Sequence, residues 1–265
     1  MNKTVVVSGA SSGIGYSIAT LLQENGYQVI GVSRTYPKQP YTFDYHLLDI
    51  TKETEVKAFA DKFSEEYGHL HALINCAGMG ISGAVEYTAL ASVRKIFDVN
   101  VMGTFALTKA MIPHLRNQKN SKIINISSVA GELSIPFQTF YSMTKAAINA
   151  FTSALALELR PFGISVAAIL PGDTATLFTQ NREKSDEVEN SVYQDRIIRS
   201  VERMEKDEQK GKPPLTVAKV CLRMLKKNRM PVMVTVGFQY KLFVLLNRIL
   251  PKRWVQYILY KMYSE

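Results

Sequence analysis

A tyrosine and a lysine four residues apart, Tyr141 and Lys145, could together do proton chemistry. Positions i and i+4 share one face of a helix, so the phenol and the ammonium can lie in one cleft. Tyrosine has a pKa of about 10 in water, but a neighbouring cation favours the phenolate and lowers that pKa. Thirteen residues before Tyr141, Ser128 follows a short apolar run and adds a hydroxyl. Because a surface pair has the same spacing, this pattern needs support from the rest of the chain.

A glycine-rich turn follows the first apolar run. Residues 8–15 read Ser-Gly-Ala-Ser-Ser-Gly-Ile-Gly, and a segment with helical periodicity comes next. Glycines let a ligand approach the backbone, and a helix N-terminus offers free N–H groups and partial positive charge. Although the glycine spacing differs from the commoner Gly-x-Gly-x-x-Gly, this context predicts a dinucleotide pyrophosphate site, with an unliganded tight turn as the alternative. The predicted contacts are Gly9, Ser11, Ser12, Gly13, Ile14 and Gly15.

The second predicted strand, Gln28–Ser33, is followed by Arg34. In dinucleotide-binding folds an acidic residue at this point binds the ribose 2′-hydroxyl of NAD, whereas an arginine can hold the 2′-phosphate of NADP. Arg34 therefore predicts NADP(H) in preference to NAD(H).

These residues are distributed among alternating strand-like and helix-like segments. The predicted strands are short and almost wholly apolar, as in a parallel sheet covered on both faces. They are 4–7, 28–33, 45–48, 72–75, 122–127, 165–170 and 232–236, and the predicted helices are 14–24, 53–67, 90–117, 140–160 and 217–227. This alternation predicts an α/β fold. It is a single Rossmann-type domain over residues 1–265, with a doubly wound parallel sheet of about seven strands and helices on both faces.

Two segments lie outside this alternation. Residues 174–214 are charged and helix-prone, and they follow a strand end, which predicts a helical lid over the substrate. Residues 241–263 place leucines and isoleucines at helical spacing on both sides of Pro251. They predict a C-terminal extension of two short amphipathic helices.

Composition excludes several classes of protein. The chain has 265 residues, 46% of them hydrophobic and 21% charged, so it is neither disordered nor fibrous. Its cysteines, Cys76 and Cys221, lie far apart, and with four histidines they predict no disulfide framework and no metal site. The first residues do not have the pattern of a secretory signal peptide, and no apolar run is long enough to cross a bilayer. The expected location is the cytoplasm.

Basic charge is concentrated toward the C-terminus. Residues 213–265 hold ten basic side chains and one acidic side chain, Glu265, so they carry the whole net charge of +9. A solvated basic face is the favoured interpretation, and an acidic partner or a membrane surface is the alternative. No array of aromatic and basic residues of the kind that binds nucleic acid occurs, so that class is excluded.

Taken in order, these motifs make the chain similar to the classical short-chain dehydrogenase/reductase family. The resemblance covers residues 4 to about 176 without a break. It is carried by 8–15, Asp49, the Asn-Cys-Ala-Gly run at 75–78, Asn100, Ser128, the Tyr-Ser-Met-Thr-Lys run at 141–145, Pro171, Gly172 and Thr176. Two positions depart from the family pattern, since Ser8 replaces a threonine and Cys76 replaces an asparagine.

The resemblance implies a role for each matching position. Tyr141 would be the general acid/base and Ser128 would hold the carbonyl oxygen. Lys145 would bind the nicotinamide ribose and, with the cationic nicotinamide, lower the pKa of the tyrosine. Asn100 would anchor a water in a proton relay. The other implied cofactor contacts are Asp49 at the adenine, Asn75 and Gly78 at the sugar and strand region, Thr176 at the carboxamide, and Ala77, Pro171 and Gly172.

The expected activity is NADP(H)-dependent hydride transfer that reduces a hydrophobic ketone or aldehyde. Beyond residue 176 the chain resembles the hydroxysteroid and retinol dehydrogenase branch, whose members often take lipophilic substrates. Two alternatives stay open. One is an NAD(P)-dependent dehydrogenase of a small polar alcohol or hydroxy acid, and the other is a non-catalytic protein that senses NADP.

Partners are predicted from two helical segments. Ala146, Ala147, Ala150 and Ala154 are small residues on helix 140–160 that allow close packing, either on the sheet or on a second subunit. With the family resemblance they predict a homodimer. The tail suits peripheral contact with a membrane, a dimer interface or a cap over the cleft, but packing against the protein itself is the favoured interpretation.

Overall fold

Seven parallel strands form the central sheet of the protein. The structure is a computed structural model that describes residues 3–184 and 192–263. Within them the strands are β1 (Thr4–Ser8), β2 (Gln28–Ser33), β3 (Asp44–Leu47), β4 (Leu70–Asn75), β5 (Ile81–Ser82), β6 (Lys122–Ile126), β7 (Ser165–Leu170), β8 (Glu183–Lys184) and β9 (Met233–Thr235). The sheet order is β3-β2-β1-β4-β6-β7-β9, and all its neighbouring strands are parallel. The predicted α/β fold is confirmed.

Helices cover both faces of this sheet. They are α1 (Gly13–Glu24), α2 (Glu53–Tyr67), α3 (Leu90–Phe97), α4 (Thr104–Arg116), α5 (Thr139–Glu158), α6 (Gln194–Gln209), α7 (Pro214–Leu225), α8 (Phe238–Ile249) and α9 (Lys252–Tyr263). Buried side chains of α1 and α7 share an apolar cluster with one face of the sheet. Those of α2, α4 and α5 share a second cluster with the other face.

Alternation of side chains along β1 explains why the central strands are apolar throughout. Val5 and Val7 belong to the cluster with α1 and α7, whereas Val6 belongs to the cluster with α2, α4 and α5. All three valines are fully buried. Each buried valine is worth about 2 kcal/mol in removal from water, so a polar substitution at any of them would weaken the sheet that positions the site.

The predicted continuous helix over 90–117 is wrong in its middle. A π-helical turn, Asp98–Gly103, separates α3 from α4. The hydroxyl of Thr104 donates to the carbonyl oxygen of Asn100 at 2.9 Å, and Gly103 lies so close to Ile50 that a Cβ there would come within 2.7 Å of its side chain. The wider turn leaves Asn100 buried, which a periodicity of 3.6 residues could not predict.

The predicted lid over 174–214 contains α6 and one strand that the sequence analysis missed. Strand β8 pairs in parallel with β5 and forms a separate two-stranded sheet. The end of the lid returns to its start, because the N–H of Lys212 donates to the carbonyl oxygen of Asp173 at 3.1 Å. Residues 185–191 of the lid lie outside the described residues.

The C-terminal extension divides as its sequence predicts. Helix α8 ends at Ile249 and α9 begins at Lys252, on either side of Pro251. Among the described helices, none is long and apolar enough to cross a membrane.

Candidate active site

The predicted site residues gather at the carboxyl ends of the central strands. Ser8 ends β1, Asn75 ends β4, Ser128 comes two residues after β6, and Pro171 follows β7 directly. Because these strands are parallel and adjacent, their ends lie at one edge of the sheet. Ligands of open α/β sheets bind at this edge.

The glycine-rich turn lies directly against the segment after β4. Gly9 has a φ of +70°, and a Cβ at this position would lie 2.8 Å from the Cα of Ala77. A Cβ on Gly15 would clash with the carbonyl oxygen of Gly9. The Ser8 hydroxyl accepts from the backbone N–H groups of Cys76 at 3.1 Å and Ala77 at 3.2 Å. Serine therefore supplies the hydroxyl that the family's threonine would supply.

The first turn of α1 fits an anionic ligand. Ser12 precedes the helix without a side-chain capping bond in the described structure, and the first turn carries no acidic side chain. Free N–H groups and the partial positive charge of a helix N-terminus suit a pyrophosphate. A Cβ on Gly13 would lie 3.4 Å from Thr176. The first turn of α1, which contains Ile14, therefore lies beside the start of the lid. The residues present fit a dinucleotide here.

The end of β2 contacts the same turn. Ser33, the last residue of β2, has its hydroxyl oxygen 3.2 Å from that of Ser11, and Arg34 follows it with an exposed side chain. Burial alone would raise the pKa of Asp49, but hydrogen bonds from Thr51 and the charge of Arg34 outweigh it and lower that pKa. Arg34 and Asp49 are thus within electrostatic reach of each other.

Helix α5 brings the predicted catalytic residues together. Tyr141 and Lys145 lie one turn apart, with the Lys145 Nζ 5.7 Å from the centre of the Tyr141 ring. The Ser128 hydroxyl lies close enough to the Tyr141 phenol to lower its pKa. It also accepts from the N–H of Ala130 at 3.1 Å, which fixes its rotamer. Hydroxyl, phenol and ammonium therefore lie close together.

Burial sets the proton affinities of this group. It raises the pKa of Tyr141 to about 12, although the hydrogen bond with Ser128 lowers that pKa. Burial also lowers the pKa of Lys145 to about 8, because it disfavours the ammonium. Without a bound cofactor, loss of solvation outweighs the favourable contacts, and lowering of the tyrosine pKa by Lys145 together with the cationic nicotinamide stays a prediction. At neutral pH the phenol holds its proton and can donate it.

Lys145 is held by the end of β6. Its Nζ donates to the carbonyl oxygen of Ile126 at 3.0 Å. A Cβ on Gly78 would lie 3.7 Å from this Nζ and 3.3 Å from the Asn100 Oδ1, so Gly78 lies directly beside both side chains. Burial raises the pKa of the nearby Cys76 to about 12, so its thiol stays protonated at neutral pH.

Asn100 fastens the segment after β4 to α5. Its Nδ2 donates to the carbonyl oxygen of Met79 at 2.9 Å and to the Thr144 hydroxyl at 3.1 Å. Its Oδ1 accepts from the N–H of Met79 at 2.8 Å. These bonds give the side chain a positioning role, and its implied part in a water relay stays a prediction.

Asn75 stabilises the sheet at the same edge. Its Nδ2 donates to the Thr108 hydroxyl at 2.9 Å and to the Asn125 Oδ1 at 2.8 Å, and Asn125 donates in turn to the Thr152 hydroxyl. The chain of bonds ties β4 and β6 to α4 and α5. The side-chain amide nitrogen is occupied by this network, and contact of Asn75 with a cofactor stays a prediction.

Three lid residues that the sequence analysis did not name lie beside Tyr141. The Phe178 ring centre is 5.4 Å from that of Tyr141, and the Arg182 guanidinium carbon is 5.8 Å from the Phe178 ring centre. Arg182 is buried and forms a salt bridge with Glu208 of α6. Its Nε and Nη1 have no hydrogen-bond partner among the residues that the structure describes. Because the lid contains many charged residues, its sequence does not show which arginine is buried.

Gly172 and Asp173 connect the site to α8. The carbonyl oxygen of Pro171 accepts from the N–H of Val129 at 3.0 Å, which ties the end of β7 to the segment after β6. The Tyr240 ring covers Gly172 so closely that a Cβ there would overlap it, and its hydroxyl donates to Asp173 at 2.5 Å. Burial raises the pKa of Asp173.

Two pockets are lined in part by residues of the lid. One of about 460 Å³ lies between the glycine-rich turn and the lid, and is lined by Gly13, Thr176 and Gln209 among others. The other, of about 400 Å³, is lined mainly by apolar groups that include Val85, Phe137 and Tyr193.

Comparison with known proteins gives a consistent result. The family model described as short chain dehydrogenase matches residues 3–187. A curated protein from Bacteroides thetaiotaomicron named 3-ketodihydrosphingosine reductase is 35% identical over 98% of this chain and 97% of its own. The solved structure of a short-chain dehydrogenase from Streptomyces avermitilis has a TM-score of 0.82 at 29% identity, covering 98% of this chain and 97% of that one. A structure titled ElxO with NADP bound has a TM-score of 0.75 at 26% identity, covering 91% and 99%.

Proposed function

This chain belongs to the short-chain dehydrogenase family of oxidoreductases, and from that premise we propose that it is an NADP(H)-dependent reductase of a hydrophobic ketone or aldehyde. The observation that carries the proposal is the meeting of the Ser128 hydroxyl, the Tyr141 phenol and the Lys145 ammonium at the carboxyl edge of the sheet. A proton donor, an oxygen-binding hydroxyl and a cation are the groups that carbonyl reduction requires of a protein.

The mechanism follows from these three side chains. The nicotinamide, when bound, supplies the hydride that the carbonyl carbon receives. Ser128 donates a hydrogen bond to the carbonyl oxygen and holds it beside Tyr141. Tyr141 transfers its phenolic proton to that oxygen as negative charge develops there. The Lys145 ammonium stabilises the resulting phenolate.

The substrate is proposed to be lipophilic because an aromatic ring lies against the phenol and an apolar pocket lies at the lid. Phe178 lies against Tyr141, and the 400 Å³ pocket beside the lid is lined by Val85, Phe137 and Tyr193. The relative named 3-ketodihydrosphingosine reductase supports a keto substrate and the reductive direction. In an assay with NADPH, a long-chain methyl ketone is expected to show a higher kcat/KM than a short one, because the added methylene groups leave water. A preference for the short ketone would contradict the proposal.

One observation favours a second candidate, a dehydrogenase of a small hydroxy acid. Arg182 is buried near Tyr141 and has two N–H positions without a partner among the described residues, and a substrate carboxylate could bind them. Glu208 already neutralises this guanidinium, which is why the lipophilic substrate is preferred. A short 2-keto acid in the same assay separates the two candidates.

The preference for NADP(H) is proposed from Arg34. We expect Arg34→Ala to weaken NADPH binding about 30-fold and to leave NADH binding unchanged, since a charge-assisted bond to the 2′-phosphate is worth about 2 kcal/mol. Fluorescence titration of both cofactors measures this. Lys38→Ala removes the same charge four residues further on and serves as the matched control. If wild-type protein binds NADH as tightly as NADPH, NADP(H) preference is wrong.

A homodimer is proposed through the outer face of α5. Exposed small and apolar residues recur along this face, namely Met143, Ala146, Ala150, Ala154 and Leu157. Small side chains allow a second helix to approach closely, and the exposed methionine and leucine supply apolar area.

Placing a charge in this face tests it. We expect Ala150→Arg to convert dimer to monomer in sedimentation velocity, because a buried, unpaired guanidinium would have to lose its water. Ala58→Arg makes the same change on an exposed alanine of α2 and is expected to leave the dimer intact. If the Ala150→Arg protein remains a dimer, the interface is not on this face of α5.

A further inference from the structure

Helix α8 has apolar side chains on two opposite faces. The inner face buries Val244 and Asn247 and places Tyr240 on Gly172. The outer face presents four exposed apolar residues at i, i+4, i+7 and i+11. They are Phe238, Leu242, Leu245 and Ile249, and the first and last are 83% and 68% exposed. A surface helix of a monomer normally turns polar residues outward, so this face lacks a partner in the described structure.

Helix α9 also exposes apolar side chains. Its Val255 is buried, whereas Trp254, Tyr257 and Ile258 are exposed, with exposed fractions of 64%, 63% and 47%. We call these three residues and the four of α8 the outer apolar stripe. The stripe combines aliphatic side chains with tryptophan and tyrosine, whose amphipathic rings suit a boundary between oil and water.

Basic residues border the outer apolar stripe. Lys241 and Arg248 lie beside it along α8, and Lys252 and Arg253 begin α9. All four of these basic residues are exposed. The sequence has no acidic residue between Glu208 and Glu265. The surface therefore has an apolar centre with only positive charge around it. Such a surface is complementary to a membrane that contains anionic lipids.

We propose that α8 and α9 dock the protein onto an anionic membrane surface, with the outer apolar stripe at the boundary of headgroups and acyl chains. A second copy of the chain is a poorer occupant, since pairing this face with itself would bring like charges together. The helices lie on the surface and do not cross it, consistent with the absence of any membrane-spanning candidate among the described helices.

Helices α8 and α9 contact both the lid and the edge of the sheet through residues outside the outer apolar stripe. The Tyr260 and Tyr263 rings of α9 lie 5.9 and 6.0 Å from the guanidinium carbons of Arg196 and Arg203 on α6, the lid helix. Tyr240 of α8 bonds to Asp173 at the end of β7. Docking therefore places the lid beside the lipid, where a lipophilic substrate would enter. That last step rests on the proposed function, whereas docking itself does not.

The tryptophan of the outer apolar stripe is the natural reporter, because Trp254 is the only tryptophan in the sequence. Phosphatidylcholine vesicles containing phosphatidylserine are expected to shift its emission to shorter wavelength, and brominated lipid in the same vesicles to quench it. Vesicles of phosphatidylcholine alone and high salt are expected to abolish most of the shift, because the basic residues supply the attraction. No substrate or cofactor is needed, so this result is independent of the proposed activity.

Paired variants separate the two contributions to docking. Lys241→Gln with Arg248→Gln is expected to weaken vesicle binding about 30-fold, since each basic residue near an anionic surface is worth about a factor of five. Leu245→Ser with Ile249→Ser is expected to weaken it more than about tenfold by removing apolar contact. Matched controls are Leu47→Ser, an exposed leucine of β3, and Lys62→Gln with Lys119→Gln. Thermal unfolding verifies that each variant folds.

Three outcomes would overturn the proposal. Wild-type protein that neither shifts its emission nor sediments with phosphatidylserine vesicles at low salt has no membrane surface of this kind. Binding that the controls weaken as much as the stripe variants would place the contact elsewhere. Conversion of dimer to monomer by Leu245→Ser with Ile249→Ser in sedimentation velocity would assign the stripe to a second copy of the chain.

Discussion

Tyr141→Phe is expected to lower kcat about 1,000-fold while leaving the Kd for NADPH within about twofold of the wild-type value. The variant keeps the ring that packs on Phe178 and loses only the hydroxyl that gives its proton to the carbonyl oxygen. Positioned general acids contribute about 100- to 10,000-fold, so the loss falls on the chemical step. Single-turnover reduction under excess NADPH measures that step directly, and cofactor fluorescence measures the binding.

Tyr193→Phe is the matched control, because it removes a phenolic hydroxyl from the neighbouring pocket and leaves Tyr141 intact. Its kcat is expected to stay near that of wild type. A Tyr141→Phe protein that still reduces carbonyls at a comparable rate would remove the proton donor from the mechanism. A wild-type protein that binds NADPH, reduces no carbonyl and has a cellular effect that Tyr141→Phe does not alter would favour the NADP-sensing alternative.

Lys145→Met is expected to lower kcat about 100-fold, because the ammonium beside the Tyr141 ring no longer stabilises the phenolate. The alcohol-oxidation direction gives the sharper test, since there Tyr141 must first lose its proton. Without the cation the phenolate is less favoured, so the pH at which oxidation reaches half its maximal rate is expected to rise in the variant. Unchanged kcat and pH profile would show that Lys145 does not act on Tyr141.

The same lysine predicts a pH dependence of stability. Its pKa is lowered from 10.5 to about 8 in the folded protein, so between these values the unfolded chain binds more protons than the folded chain. Stability therefore rises with pH through this window, and the penalty for burying the ammonium is fully present below pH 8. Relative to Lys145→Met, the free energy of unfolding of the cofactor-free wild type is expected to increase by about 3 kcal/mol across the window.

Urea unfolding of both proteins at matched pH values measures this difference, and comparison with the variant cancels the titration of all other groups. A difference that stays constant with pH would mean that the Lys145 ammonium is solvated in the folded protein.

The arrangement of the proposed catalytic group could be predicted from the sequence because each part of it depends on local geometry. Tyr141 and Lys145 meet through the one-turn spacing of a helix, and Ser128 meets them because β6 ends at the same edge of the sheet as its neighbours. The alternation of apolar strands and amphipathic helices likewise predicts the seven-stranded sheet. Strands β5 and β8 were missed because two residues are too few for any periodicity.

The lid and the tail could not be predicted to the same depth. Arg182 reads as one of many charged residues in the lid, and its burial against Phe178 depends on the position of Glu208 in α6. The periodicity of α8 identifies an amphipathic helix but does not say which face meets the protein. Among the described residues, the tail packs on the protein through buried side chains such as Val244 and Val255 and through the Tyr260 and Tyr263 rings of α9. The hydrophobic periodicity of a helix shows which of its faces are apolar. Which apolar face is buried depends on the other elements that pack against the helix.

Transfer of deuterium from NADPH labelled at the nicotinamide C4 tests the assigned chemistry most directly. With a long-chain ketone and wild-type protein, the alcohol product is expected to carry the label on its carbinol carbon, and the alcohol is expected to be almost absent with Tyr141→Phe. Mass spectrometry of the alcohol distinguishes label on carbon from label lost to water. Recovery of fully labelled NADPH after incubation of wild-type protein with long-chain ketones, aldehydes and a short 2-keto acid would contradict the assignment of this chain as a carbonyl reductase.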